Sequence, residues 1–139
     1  MAALNSGQAA EHFASMVALL GGPHDFMERT SHYLPTAPII RAVFADDEGT
    51  VAKIATRDLG LAVIELGGGR RRSDDKIDHS VGLSNLLGKN FMADMNTPLG
   101  MVHARDEESF ARAEKIIKAA YTIGDHALED LPVLERITA

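Results

Sequence analysis

Three consecutive glycines, Gly67-Gly68-Gly69, separate an apolar run, Leu59 to Leu66, from three consecutive arginines, Arg70-Arg71-Arg72, followed by Ser73. Glycine gives up more backbone freedom than any other residue on ordering, so a helix or strand is not expected to run through such a triplet. The chain must break there, and the segment after the break carries three fixed charges. Glycine also lets a ligand or another backbone come close, and arginine grips phosphate or carboxylate with a planar fork. The segment thus has the composition of a mobile cationic loop. Taken alone it is a weak phosphate signal, because anions sit at helix N-termini and these glycines follow a predicted helix C-terminus. A bland alternative is a solvated loop whose arginines pair with Asp74, Asp75 or Asp78.

The remaining elements fall around this break. Apolar Ala9, Phe13, Met16, Val17 and Leu20 recur at helical spacing, which predicts a helix from Ser6, as its cap, to Leu20, with Gly21-Gly22 ending it. Pro23 suits a short second helix through Phe26 and Met27, and Thr30 to Pro38 reads as a linker. Ile39 to Phe44 and Thr50 to Ala55 read as strands joined by the turn Asp46-Asp47-Glu48-Gly49, which together suggest a hairpin. A helix is expected from Thr56 to Leu66 with a stripe of Leu59, Ala62, Val63 and Leu66, although Leu61 and Ile64 also fit a buried strand. Val81 to Leu87 and Pro98 to Ala104 read as strands. Asp106 caps a final helix with Phe110, Ala113, Ile117 and Ala120 on one face, a Glu114–Lys118 pair, and Gly124 as its end. Val133 to Ile137 reads as a last edge strand. Strands and helices alternate without a strict βαβ rhythm, which favours an α+β fold, a sheet with helices on one side.

The 139 residues suit one core, and 45% hydrophobic against 24% charged residues exclude general disorder. A net charge of −6 argues against a general nucleic-acid binder. No cysteine is present, the N-terminus does not read as a secretion signal, and the longest apolar run is far short of the about 20 residues a membrane span needs. A reducing cytoplasm is the expected location, without a membrane role.

Other chemistry-bearing residues lack a productive pattern. The histidines His12, His24, His32, His79, His103 and His126 form no HExxH or i,i+4 pair, so no metal site is expected. His103 reads as a structural hydrogen-bonding residue. Asp46-Asp47, Asp74-Asp75 and Glu107-Glu108 sit in turns or at a helix start, where acids are ordinary. Ser80 and Ser84 lack the nucleophile-elbow pattern, and Met92, Met95 and Met101 read as flexible core filler.

The block Leu59 to Leu66, the glycine and arginine run, Asp75-Lys76-Ile77-Asp78-His79-Ser80-Val81-Gly82, and Pro98-Leu99-Gly100-Met101-Val102-His103-Ala104-Arg105-Asp106-Glu107 closely resemble the C-terminal domain of bacterial thymidine phosphorylases, within the pyrimidine nucleoside phosphorylase family. Upstream, Ser6 to Phe13 and Met16 to Pro23 look like the last helices before that domain. The resemblance implies residues 1–34 as terminal helices of a preceding core domain, with an apolar face partly orphaned. It implies 35–139 as the C-terminal domain, with mixed or antiparallel strands, flanking helices and a hammerhead-like arrangement. The family's phosphate and nucleoside residues, around a Lys-His-Ser-Thr-Gly-Gly loop, lie in other domains. Asp78-His79-Ser80-Val81-Gly82 lacks that lysine and glycine pair.

The resemblance therefore implies a domain or fragment of a thymidine phosphorylase, a pentosyltransferase of nucleoside salvage, that is inactive by itself. Its parent reaction converts thymidine and phosphate to thymine and 2-deoxyribose 1-phosphate. No catalytic residue is expected within the chain. Gly67, Gly68, Gly69, Arg70, Arg71, Arg72 and Ser73 would close over a cleft whose other side lies in another domain. No cofactor is implied beyond phosphate as co-substrate. The implied partners are the remaining domains of a homodimeric parent, with pyrimidine nucleoside and phosphate bound only in the full-length enzyme. The rival is a stand-alone carrier-like or interaction domain. It lacks the exposed turn lysine of biotinyl and lipoyl modules, since Met92-Ala93-Asp94-Met95 has an aspartate there. Preference for thymidine over uridine is not legible in these residues.

Overall fold

Hydrogen bonds between residues far apart in sequence organise the main part of the molecule. The computed structural model describes residues 2–124, and the expected edge strand at 133–137 and His126 lie outside them. The chain divides into two compact units, Met1–Thr36 and Ala37–Ala139.

The first unit contains α1 (Ala2–Asn5), α2 (Gln8–Leu19) and α3 (Thr30–Tyr33). Ser6 does not cap α2: Gly7 holds the N-cap position with φ 84°, and the Ser6 hydroxyl donates to the Ala3 carbonyl. The residues around Phe26 form turns, while the short helix falls at Thr30–Tyr33, inside the expected linker. Phe26 lies 6.2 Å from Phe13 and 6.3 Å from Tyr33 between ring centres, and the Tyr33 hydroxyl donates to Asp25 at 2.7 Å. No residue of these three helices is buried.

In the second unit the α+β expectation holds, with two three-stranded antiparallel sheets and two helices. β1 (Ile39–Val43), β5 (Gly100–Ala104) and β3 (Gly82–Ser84) form one sheet in the order β1-β5-β3. β4 (Met92–Ala93), β2 (Gly49–Ile54) and β6 (Tyr121–Gly124) form the other in the order β4-β2-β6. The expected β1–β2 hairpin is absent. Asp46-Asp47-Glu48 instead carries the chain from one sheet to the other, because β1 finds its partner in β5, Ile39 opposite Ala104, and β2 finds its partners in β4 and β6.

Two helices, α4 (Thr56–Leu66) and α5 (Glu107–Ala120), complete the core. The period of two in β5 buries Gly100, Val102 and Ala104 and leaves Met101 and His103 half-buried on the opposite face. Val102 and Val43 pack with Leu59 and Leu66 of α4 and with Phe110, Ala113 and Ile117 of α5. Fully burying one side chain such as Leu66 stabilises by about 1.5–3 kcal/mol. Asp106 caps α5 by accepting the Ser109 amide at 2.7 Å. Helix α5 ends at Ala120, earlier than the expected stop at Gly124, because the next residues turn extended and pair with β2 as β6. Met92 and Met95 are not core filler: they are 55% and 77% exposed.

Candidate functional site

The last turn of α4 determines how the glycine and arginine segment leaves the helix. Gly67 adopts φ 98° and donates its amide to the Ile64 carbonyl, while Gly68 donates to Val63, which together cap the helix C-terminus. An L-residue at Gly67 would be strained by that φ, and a Cβ at Gly69 would lie 2.7 Å from Ile64 Cγ1. The two positions need glycine for different reasons, one of conformation and one of space.

From there the chain forms a closed loop. At its base the Asp78 amide donates to the Gly67 carbonyl at 2.9 Å. Near its tip, Asp75 Oδ2 accepts the amides of Arg71 and Arg72, each at 2.9 Å. These two amides, Arg72 first, hold the Asp75 carboxyl below the ordinary carboxylate range. The Arg71 guanidinium pairs with Glu65 on the last turn of α4. Asp78 is lowered too, first by the Ser80 hydroxyl at 2.6 Å, then by the Ser80 amide, with smaller effects from Arg105 and His79. Arg105, just after β5, stands beside Gly67 and pairs with Asp106 at 3.3 Å.

Each residue of the expected loop therefore has a defined place. Gly67, Gly68 and Gly69 are half-buried against α4, and Arg70, Arg71, Arg72 and Ser73 are exposed. Of the three carboxylates expected to face the arginines, Asp75 touches their backbone. The side-chain partner of Arg71 is Glu65, which sequence reasoning passed over. The signal was there in principle, because a glycine triplet that reverses the chain brings Arg71 back over the final turn of α4. The dipole argument against an independent phosphate cradle applies to the observed geometry, since the loop leaves a helix C-terminus.

The other candidates are scattered. His103 Nε2 lies 2.7 Å from Ser84 Oγ across the β3–β5 pair, the structural hydrogen bond expected of it. His12, His24, His32 and His79 are exposed, and His32 packs edge-on against Tyr33. Asp46 pairs with Lys118 at 2.6 Å, closer than Glu114 at 3.8 Å, and Glu107 accepts from both terminal guanidinium nitrogens of Arg41. Among the described residues no group of three or more His, Asp or Glu could hold a metal ion, and no helix is long and apolar enough to cross a membrane. A separate cleft of about 160 Å³ is lined by Asp46, Asp47, Lys118 and Tyr121 among others. The Tyr121 hydroxyl there donates to the Leu87 carbonyl at 2.9 Å, and burial raises its pKa.

Residues 50–124 match the family model described as the pyrimidine nucleoside phosphorylase C-terminal domain. That span is more than half of the chain, and it runs from β2 through the whole of the Gly67 to Ser73 loop to the end of β6.

Proposed function

Because the chain belongs to the pyrimidine nucleoside phosphorylase C-terminal domain family, we propose that it is the C-terminal part of a thymidine phosphorylase and closes one side of that enzyme's cleft. The parent reaction is attack of phosphate on the anomeric carbon of thymidine, releasing thymine and leaving 2-deoxyribose 1-phosphate. Catalysis of that kind rests on positioning and on stabilising the charge of the leaving base. The domain contributes shape and a loop, and the reacting groups belong to other domains.

The observation that carries this reading is the organised arginine loop within the matched span. Its glycines hold it to α4, and its exposed Arg70 and Arg72 face solvent, where they can meet an anionic group across a cleft. Closing such a loop excludes water from phosphate and nucleoside and completes the site. Residues 1–34 are the end of a preceding core domain in this proposal, supported by exposed Phe13, Met16, Leu19 and Leu20 in a unit whose helices bury nothing. The parent works as a homodimer in the cytoplasm and needs no cofactor besides phosphate.

The test is a phosphorolysis assay on the longest product of the gene, comparing thymidine with uridine. A kcat/KM favouring thymidine, reduced mainly through KM when Arg70 and Arg72 are replaced by alanine, is the expected result. Turnover insensitive to the loop would overturn its closing role, and preference for uridine would overturn the substrate.

A further inference from the structure

The three arginines of the loop do not have equivalent surroundings. Arg71 is tied twice: its guanidinium pairs with Glu65 and its amide donates to Asp75. Arg72 is held only through its backbone, its amide donating to Asp75 Oδ2 and its carbonyl accepting the Asp75 amide at 3.2 Å, and neither Arg70 nor Arg72 forms a side-chain ion pair among the described residues. From this asymmetry we infer that Glu65 and Asp75 are positioning residues that convert Arg71 into an internal anchor and leave Arg70 and Arg72 as the pair offered to an anionic group, a phosphate or a carboxylate.

The physical logic is one of preorganisation. A glycine-rich loop ordered only on ligand binding would lose the entropy of that ordering from its affinity, whereas a loop already fixed at its tip and base loses less. Asp75 fixes the tip, Asp78 and Gly67 fix the base, and Glu65 neutralises the central charge. Neutralising Arg71 also spares the outer two the repulsion of a third adjacent cation. The inference rests on the loop being a closing element, yet it is read on the 139-residue chain without any turnover. A failed phosphorolysis assay would count against that reading and not against this one.

The experiment is labelling of the chain with phenylglyoxal, an arginine-directed dicarbonyl, with each site followed by peptide mass. Arg70 and Arg72 should be modified about two- to fivefold faster than Arg71, the range that an exposed ion pair supports. Glu65→Gln should bring Arg71 up to the rate of its neighbours. In parallel, amide exchange at Arg71 and Arg72 should accelerate in Asp75→Ala and be largely restored in Asp75→Asn, whose side-chain oxygen still accepts. A merely structural role would not give that selective restoration. Equal labelling of all three arginines in the unaltered chain, or an unchanged Arg71 rate in Glu65→Gln, would overturn the assignment. So would amide exchange indifferent to Asp75→Ala.

Discussion

Helices α2 and α5 are of similar length, twelve and fourteen residues, and both carry apolar residues at helical spacing. Yet α5 buries Ser109, Phe110, Ala113, Ile117 and Ala120 and has an aspartate cap, whereas α2 buries nothing and starts at a glycine with no side-chain cap. Isolated helices of this length are marginal in water, so packing decides their stability. The difference teaches that an amphipathic pattern announces a helix without saying whether a partner for its apolar face lies in the same compact unit. The second unit satisfies its own stripes, and the first leaves Leu19 and Leu20 more than four-fifths exposed.

The contrast breaks first at the core. Replacing Ile117, which has no exposed surface, with alanine should destabilise the second unit by about 2–5 kcal/mol in denaturant unfolding. A loss below 1 kcal/mol would mean that α5 is not packed as described. Next comes Gly67→Ala, expected to destabilise by about 1–2 kcal/mol because the residue sits at φ 98°. That substitution also tests whether the loop's exit from α4 depends on backbone conformation.

A smaller effect is expected at the cap. Asp106→Ala should lower the melting temperature by a few degrees and remove part of the acid sensitivity of the fold. The Ser109 amide, followed by the Ser109 hydroxyl, holds the Asp106 carboxyl below its ordinary value. A depressed folded-state pKa contributes stability that is fully present above the unfolded value of about 3.9 and is lost as pH falls through the folded one. In thermal melts the gap between wild type and Asp106→Ala should therefore be constant at neutral pH and narrow as pH falls below about 3.9. Smallest of all, Leu19→Ser in α2 should change stability by no more than about 0.5 kcal/mol, since no buried contact is removed.

What was legible in the sequence follows the same division between local and distant causes. The α5 face, its Asp106 cap and the Gly67 terminus were all readable because each is settled within one or two turns of helix. The β1–β2 hairpin was misread because an acidic turn between two strand-like runs looks the same whether the strands pair with each other or with partners far along the chain, as Ile39 does with Ala104 and Thr50 with Gly124. Tyr121-Thr122-Ile123 was absorbed into the preceding helix, although its β-branched and aromatic residues suit the strand that β2 demands. In the loop, composition identified the segment and its charge. Which arginine is paired was hidden, because the Glu65 contact exists only once the glycines have turned the chain back on α4.

The most direct test of the central claim, that this chain shapes a phosphorylase cleft without supplying its reacting groups, is to incubate the purified 139-residue chain with thymidine and inorganic phosphate and measure thymine release. The expected result is no release above the uncatalysed background. Steady release proportional to the amount of chain would contradict the account and place catalytic residues within these 139 positions.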